Sequence, residues 1–183
     1  MIAPGSQIPE GEEIEIGWDG KASPARTAIR PGEIVRLRAP ISRSAALRFA
    51  KGKLIGTAAF GNMSRQHLVV LVPGTDATDP VSVLTFENSL LSHPLGGARL
   101  FNLTPYQLTY SVGKEIGYVT PKEAVVLAFP AGESTIRLAV KAPAGWKMVS
   151  EARPVKPDAD KRNAIIVYKL PGKDEFRVLE VAP

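Results

Sequence analysis

One pattern of apolar residues occurs twice along the chain. The first copy runs from His67 to Asp76 as HLVVLVPGTD, and the second runs from Asn163 to Asp174 as NAIIVYKLPGKD. Each copy ends in Pro-Gly-x-Asp and is followed by a second apolar run, at 81–86 and at 176–181. A β-rich run, a Pro-Gly turn and a returning run are typical of a β-hairpin. The sequence therefore predicts one hairpin near the middle of the chain and another at its C-terminal end.

Other short runs alternate between apolar and polar residues. Residues Ile14, Ile16 and Trp18 share one phase, with Glu15 on the other. The same alternation appears in 34–40, and again in 136–141, where apolar residues alternate with cationic ones. A period of two is typical of a strand with one buried face. Because no stretch has helical periodicity, the pattern predicts an all-β protein.

The order of turns and strands also repeats between the two halves. Gly113-Lys114 repeats Gly20-Lys21, and residues 120–127 (TPKEAVVL) repeat the pattern of 30–37 (RPGEIVRL). Short strands with regular turn signals are typical of β-sandwiches. The sequence predicts two tandem immunoglobulin-like β-sandwich units related by an internal repeat. A single larger sandwich that shares strands between the halves is the alternative.

Proline and glycine positions suggest the domain boundaries. Residues 1–13 are broken by Pro4, Gly5, Pro9 and Gly11, which predicts an arm or linker. Unit 1 is predicted at 14–92, a Pro-Gly linker at 93–98 and unit 2 at 99–183. The arm is either a disordered leader or a segment that adds to the sheet of a neighbouring subunit.

Composition narrows the classes of function. The chain has 183 residues, no cysteine and a net charge of +5. The absence of cysteine excludes disulfides, thiolate zinc sites and cysteine nucleophiles. A basic protein can bind nucleic acid, acidic glycans or anionic lipid, although charge alone selects none of them. No apolar run is long enough to span a membrane as a helix.

Residues with the chemistry of an active site are sparse. The two histidines, His67 and His93, lie in an apolar strand and before a proline. No Gly-x-Ser-x-Gly motif supplies an activated serine. Asp76 and Asp79 could form a weak calcium site in the first hairpin loop, but a solvated turn is the preferred interpretation. We expect no catalytic residues, no metal, no cofactor and no enzymatic activity.

A binding face is easier to find. Arg36, Arg38 and Arg48 lie on the outward phase of predicted strands, and Trp146 follows the Ala144-Gly145 turn. These four residues are the candidate ligand or partner face. Nucleic-acid binding is disfavoured because most aromatic residues lie on the inward phase, whereas single-strand binding uses exposed aromatics.

Residues 99–104 (RLFNLT) begin a longer run of similarity. An Arg-x-Phe-Asn-Leu-Ser/Thr strand is followed by a short hairpin, a proline turn, a Trp strand and a C-terminal hairpin. Over 68–181 this order resembles a family of uncharacterised exported β-sandwich proteins of planctomycete and verrucomicrobial-type bacteria. The resemblance implies a periplasmic, envelope or secreted location, and it supplies no catalytic residues. Since residues 1–5 do not resemble a signal peptide, the numbered chain would then be a mature form.

Two functions follow as expectations. The first is a non-enzymatic structural or interaction protein of a bacterial cell envelope, an assembly subunit whose partner is a protein, including further copies of itself in an oligomer or filament. Open sheet edges favour it, because assembly is one way to cover them. The alternative is a ligand-binding module for glycan or another anionic polymer. An exposed aromatic flanked by polar side chains would favour the second.

Overall fold

The computed structural model confirms that the protein is all-β. It describes residues 13–18, 24–28, 35, 43–49, 54–60, 66–73, 81–129, 134–155, 159–170 and 172–181. These residues form strands and turns, and no helix occurs among them. The chain divides into two compact units, Met1–Ser89 and Leu90–Pro183.

The first unit contains a four-stranded sheet and a hairpin. The antiparallel sheet has the order β2-β1-β3-β4. Its strands are β1 Glu13–Trp18, β2 Ala25–Ala28, β3 Ser44–Phe49 and β4 Leu54–Ala59. The predicted first hairpin is confirmed, since β5 His67–Pro73 pairs antiparallel with β6 Val81–Glu87.

Alternation in β1 forms one side of the core of this unit. Ile14 and Ile16 are buried and cluster with Leu47 of β3 and Leu71 of β5. Gly56 of β4 allows the hairpin to approach, because a Cβ atom there would lie 2.6 Å from Cγ2 of Val83 on β6. The hairpin therefore packs on the four-stranded sheet and closes its core.

The second unit contains two four-stranded sheets. The front sheet has the order β12-β11-β8-β9, and the back sheet has the order β10-β7-β13-β14. All neighbours are antiparallel except β7 and β13, which are parallel. The strands are β7 Ala98–Leu103, β8 Gln107–Val112, β9 Glu115–Val119, β10 Ala124–Leu127, β11 Ser134–Ala142, β12 Gly145–Val155, β13 Asn163–Lys169 and β14 Phe176–Val181. The pairing of β13 with β14 confirms the second predicted hairpin.

The two sheets of the second unit enclose a common core. Alternating residues of β11 are fully buried, while their neighbours face outward. Strand β13 differs, because five consecutive residues, 164–168, are all buried. A strand covered on both faces reads as a continuous apolar run rather than an alternating one. The main core contacts are Leu108, Ile136 and Leu138 from the front sheet with Leu100, Ile165 and Val167 from the back sheet.

A buried asparagine fastens the start of this unit. Asn102 is fully buried, and its Nδ2 donates to the carbonyl oxygens of Tyr106 (2.8 Å) and Val119 (2.9 Å). Its Oδ1 accepts hydrogen bonds from the backbone N and the Oγ1 of Thr104, at 3.0 and 2.8 Å. The side chain thus joins the back sheet, the β7–β8 turn and the end of β9, which belongs to the front sheet.

Several sequence predictions fall on other parts of the chain. The predicted arm 1–13 lies outside the described residues except for Glu13. The strand predicted at 34–40 also lies outside them except for Val35, which is not part of a strand and packs against the core of the first unit. The hairpin loop with Asp76 and Asp79 also lies outside them. Residues 93–98, predicted as a linker, lie within the second compact unit.

Replacing Asn102 with alanine is expected to lower the free energy of unfolding by about 3 kcal/mol, because the change leaves buried backbone groups without partners. Urea denaturation of the two proteins measures the difference. Thr135→Ala, on the exposed phase of β11, is the control and should change stability by less than about 0.5 kcal/mol. A loss at Asn102 as small as that of the control would show that water replaces the lost hydrogen bonds.

Candidate binding face on the front sheet

The outward phase of the front sheet forms a continuous surface. Strand pairing fixes which side chains stand beside one another on it, because directly opposed residues lie on the same face. Read from β12 towards β9, three neighbouring rows are Trp146–Lys141–Gln107, Met148–Ala139–Thr109–Tyr118 and Arg137–Ser111–Ile116.

Exposed apolar side chains border this face, and its centre is polar. On edge strand β12, Trp146 is 58% exposed and Met148 62%; on edge strand β9, Ile116 is 75% and Tyr118 66% exposed. The two central strands contribute both small side chains, Ala139, Thr109 and Ser111, and longer polar ones, Gln107, Lys141 and Arg137. Three strand spacings separate the borders by about 14 Å. We call this surface the front trough; it has two apolar borders and a floor that carries hydroxyl groups.

The charges along the front trough have one sign. Lys141 and Arg137 both belong to β11 and are exposed. Four residues of extended chain separate them by about 13 Å along the trough. Among the rows just described they are the charged side chains, so this part of the face is cationic and attracts anionic groups.

The orientation of β9 depends on a tyrosine ring in the core. Tyr110 of β8 is directly opposite Gly117 of β9. A Cβ atom at position 117 would lie 2.4 Å from the Tyr110 Oη and 2.5 Å from Cζ, so the ring occupies the space of a side chain there. Burial of Tyr110, with a smaller contribution from the negative charge of Glu115, raises its pKa. Because Gly117 takes the inward phase, Ile116 and Tyr118 take the outward one.

The orientation of β12 depends on an ion pair and a core residue. Lys147, between Trp146 and Met148, forms an ion pair with Asp174 in the β13–β14 turn. The hydrogen bond from Lys147 is the main reason that the pKa of Asp174 is lowered. Val149 packs against the core. With Lys147 held towards the back sheet, its two neighbours face outward.

Two of the four predicted face residues, Trp146 and Arg48, are described, and they belong to different units. Trp146 lies on the front trough beside Lys141. Arg48 is exposed on β3 in the first unit, opposite Glu15, and the same carboxylate accepts a 3.0 Å salt bridge from Arg26. An acidic side chain therefore lies among the cations of that face. Arg36 and Arg38 lie outside the described residues.

The side chains of both histidines make contacts within the fold. The ring of His67 lies 4.9 Å from the ring of Phe60. His93 is fully buried, and its Nε2 donates to the carbonyl oxygen of Asn163 at 2.8 Å. Burial lowers the pKa of His93, and the nearby positive charges of Arg99 and Arg162 lower it further.

Metal-binding clusters and membrane-spanning helices are both absent from the described residues. They contain no cluster of three or more histidine, cysteine, aspartate or glutamate side chains that could bind a metal ion. Within the same part of the chain, no helix has the length and apolar character needed to cross a membrane.

Sequence reasoning found Trp146 and the outward cations of 136–141, but it missed the exposed residues of β9. Its turn context, after Gly145, marked Trp146 as a candidate for exposure. Tyr118 and Ile116 gave no such signal, because in EIGYV the bulkier phase contains both of them, and bulk normally marks the buried face. The glycine at 117 was the available sign, since a glycine within a strand often indicates a close approach by another group.

No family model matches the chain, and a search of curated proteins finds no match. The resemblance to exported bacterial β-sandwich proteins therefore stays a prediction.

The buried His93 is expected to make stability depend on pH. Its pKa in the folded protein is below the ordinary value, so below about pH 6.5 the unfolded chain binds a proton that the folded chain does not. The free energy of unfolding should therefore fall as the pH decreases through this range. The contribution is fully present above about pH 6.5.

His93→Gln is the matched variant, because its amide can donate to Asn163 without titrating. Urea denaturation over a pH series should show a smaller loss of stability in this variant below about pH 6.5. Groups that are unchanged between the two proteins cancel in the comparison. Parallel curves for the two proteins would contradict a depressed pKa at His93.

Proposed function

We propose that the protein is a non-enzymatic binding module for an acidic polysaccharide or similar anionic polymer, held along the front trough. The observation that carries this proposal is the exposure of Trp146 and Tyr118 on opposite borders of a floor with hydroxyl and cationic groups. Exposed apolar patches with a polar surround commonly mark binding sites.

The parts of the front trough suit different parts of such a polymer. Flat aromatic rings provide rigid apolar surface for the C–H faces of sugar rings at little entropic cost. Thr109, Ser111 and Gln107 supply donors and acceptors for hydroxyl groups. Lys141 and Arg137 attract carboxylate or sulfate groups, and their spacing favours a chain over a single small anion.

The exposure of the trough supports a polymer as the ligand. The trough runs along β11 and β8, and its four border side chains are each more than half exposed rather than enclosed. An open face can bind an internal segment of a long chain, whereas small-molecule sites usually enclose most of their ligand.

An assembly subunit of the cell envelope is the second candidate. The supporting observation is the set of edge strands in the second unit, β9 and β12 in the front sheet and β10 and β14 in the back sheet. Exposed edges are templates for pairing with another chain. Light scattering of the protein with and without residues 1–13 tests this function. A defined oligomer that is lost with the arm supports it, and a monomer in both forms excludes it.

We also propose that the two units are immunoglobulin-like repeats. In support, β2-β1-β3-β4 has the same connectivity as β9-β8-β11-β12, with equivalent pairs taken in chain order. The hairpins β5–β6 and β13–β14 follow these sheets in both units. The predicted Gly20-Lys21 and Gly113-Lys114 correspondence also falls between equivalent strands. A further structure that describes residues 29–42 would test the repeat, since a strand equivalent to β10 is expected there.

A location in the cell envelope or outside the cell is compatible with either proposed function. Bacterial envelopes are rich in acidic polymers, and the resemblance over 68–181 is to exported proteins. Fractionation of the cells that produce the protein tests this location. Recovery of the full-length chain from the cytoplasm alone would exclude it.

Trp146→Ala is expected to weaken binding to polygalacturonate at least about tenfold, as for a central aromatic contact. Tyr118→Ala should act in the same direction. Titration calorimetry measures the affinity, with neutral dextran as the control polymer. Leu91→Ser, which changes an exposed apolar residue elsewhere, should leave the affinity unchanged. Equal loss in this control, or none at Trp146, would contradict the proposed site.

Lys141→Gln is expected to reduce both the affinity for polygalacturonate and its dependence on salt concentration, because a screened charge interaction is removed. Lys173→Gln provides the matched control, since Lys173 is an exposed lysine in the turn between two strands of the back sheet. An unchanged salt dependence in the Lys141 variant would exclude recognition of acidic groups at this position.

A further inference from the structure

A second exposed apolar surface lies at the start of the second unit. Leu91 is 93% exposed, and Leu90 and Leu95 are also more than half exposed. These three leucines lie within six residues, in the turns that precede β7. Single exposed apolar residues are ordinary, but a group of large ones on one short segment is a mark of an interaction surface. We call residues 90–97 the leucine loop.

The leucine loop is fastened to the segment before β13. Between the exposed leucines, the buried ring of His93 donates to the carbonyl oxygen of Asn163. The backbone N of Gly96 donates to Lys161 O at 2.9 Å, and the backbone N of Asn163 donates to Gly97 O at 3.2 Å. The loop backbone is thus held by its own hydrogen bonds while its leucines remain exposed. Such preorganisation reduces the entropic cost of binding.

Cationic residues lie near His93, whose hydrogen bond helps to hold the loop. Arg99 and Arg162 lie near enough to His93 for their charges to add to the effect of burial on its pKa. The backbone carbonyl oxygen of Lys161, an exposed residue, accepts the hydrogen bond from Gly96. Among the described residues of the same segment, Asp160 is acidic. In this described part of the chain three cations therefore outnumber one anion, and the surroundings of the loop are positive.

We propose that the leucine loop binds the protein to the surface of an anionic lipid bilayer. The leucines enter the interfacial region, and the cations behind them meet the charged headgroups. Apolar area and attraction to anionic lipid together set the strength of such binding. A polysaccharide offers no hydrocarbon for three leucines, and the positive surroundings select an anionic surface. This site differs in residues and chemistry from the front trough.

Sedimentation with lipid vesicles tests the proposal on the full chain. The protein is expected to bind vesicles of mixed phosphatidylglycerol and phosphatidylcholine and to bind pure phosphatidylcholine more weakly. Leu91→Ser should reduce binding to the mixed vesicles about tenfold, because a large exposed leucine no longer enters the bilayer. Lys161→Gln should reduce it about fivefold and leave the weaker binding to phosphatidylcholine unchanged.

Matched controls separate this site from the front trough. Ile116→Ser changes a large apolar side chain on β9 that is also mostly exposed, and Trp146→Ala changes the candidate glycan contact. Neither variant should alter vesicle binding. Binding that is equal for both vesicle types, or unaffected by Leu91→Ser, would overturn the proposal. So would self-association that Leu91→Ser abolishes in a protein without vesicle binding, since a second copy would then be the partner of the loop.

Discussion

The position of the Tyr110 ring determines much of what the second unit presents to solvent. The ring covers Gly117 from within the core, so the edge strand β9 needs no inward side chain at that point. Adjacent side chains on a strand face opposite ways, so Ile116 and Tyr118 must then face outward. A side chain larger than hydrogen at position 117 would displace the ring or the strand. One core contact thus creates one border of the front trough.

The two borders arise from opposite kinds of constraint. On β9, the Tyr110 ring fills the space beside Gly117, so the bulky side chains of Ile116 and Tyr118 face solvent. On β12, the Lys147–Asp174 ion pair and the packing of Val149 hold intervening residues inward. A surface ion pair contributes little stability, but this one joins β12 of the front sheet to the β13–β14 turn of the back sheet. The front trough is therefore a consequence of interactions made on the far side of the sheet.

Local pattern was sufficient for part of this structure. Both hairpins followed from apolar runs that end in Pro-Gly, and the exposure of Trp146 followed from its turn. The phase of β9 could not be read locally, because it depends on Tyr110 in another strand. The parallel pairing of β7 with β13 has no local sign either, since the strands are some sixty residues apart. Within the predicted linker 93–98, the hydrogen bonds that join Gly96 and Gly97 to Lys161 and Asn163 have no local sign either.

The proposed repeat relates two faces of different chemistry. By strand register, Thr109 and Tyr118 correspond to Glu15 and Arg26, and Ala139 corresponds to Arg48. In the first unit the carboxylate of Glu15 pairs with Arg26. At the equivalent positions the second unit has the small residues Thr109 and Ala139 and the aromatic Tyr118. If the units are repeats, the equivalent face of the first unit carries an internal ion pair between its own side chains. The face of the second unit is instead suited to an external ligand.

The parallel pair β7–β13 also has a consequence for biosynthesis. Strand β7 leaves the ribosome first among the strands of its unit, but its neighbour β13 follows only after five intervening strands have been made. Until then, Leu100 and Phe101, both buried in the folded unit, lack their partner strand. Pairings of such long sequence separation are slow to form and expose apolar edges to aggregation. The back sheet should therefore complete folding late. The rate of translation and the presence of a chaperone should affect folding most in the interval between the synthesis of β7 and that of β13.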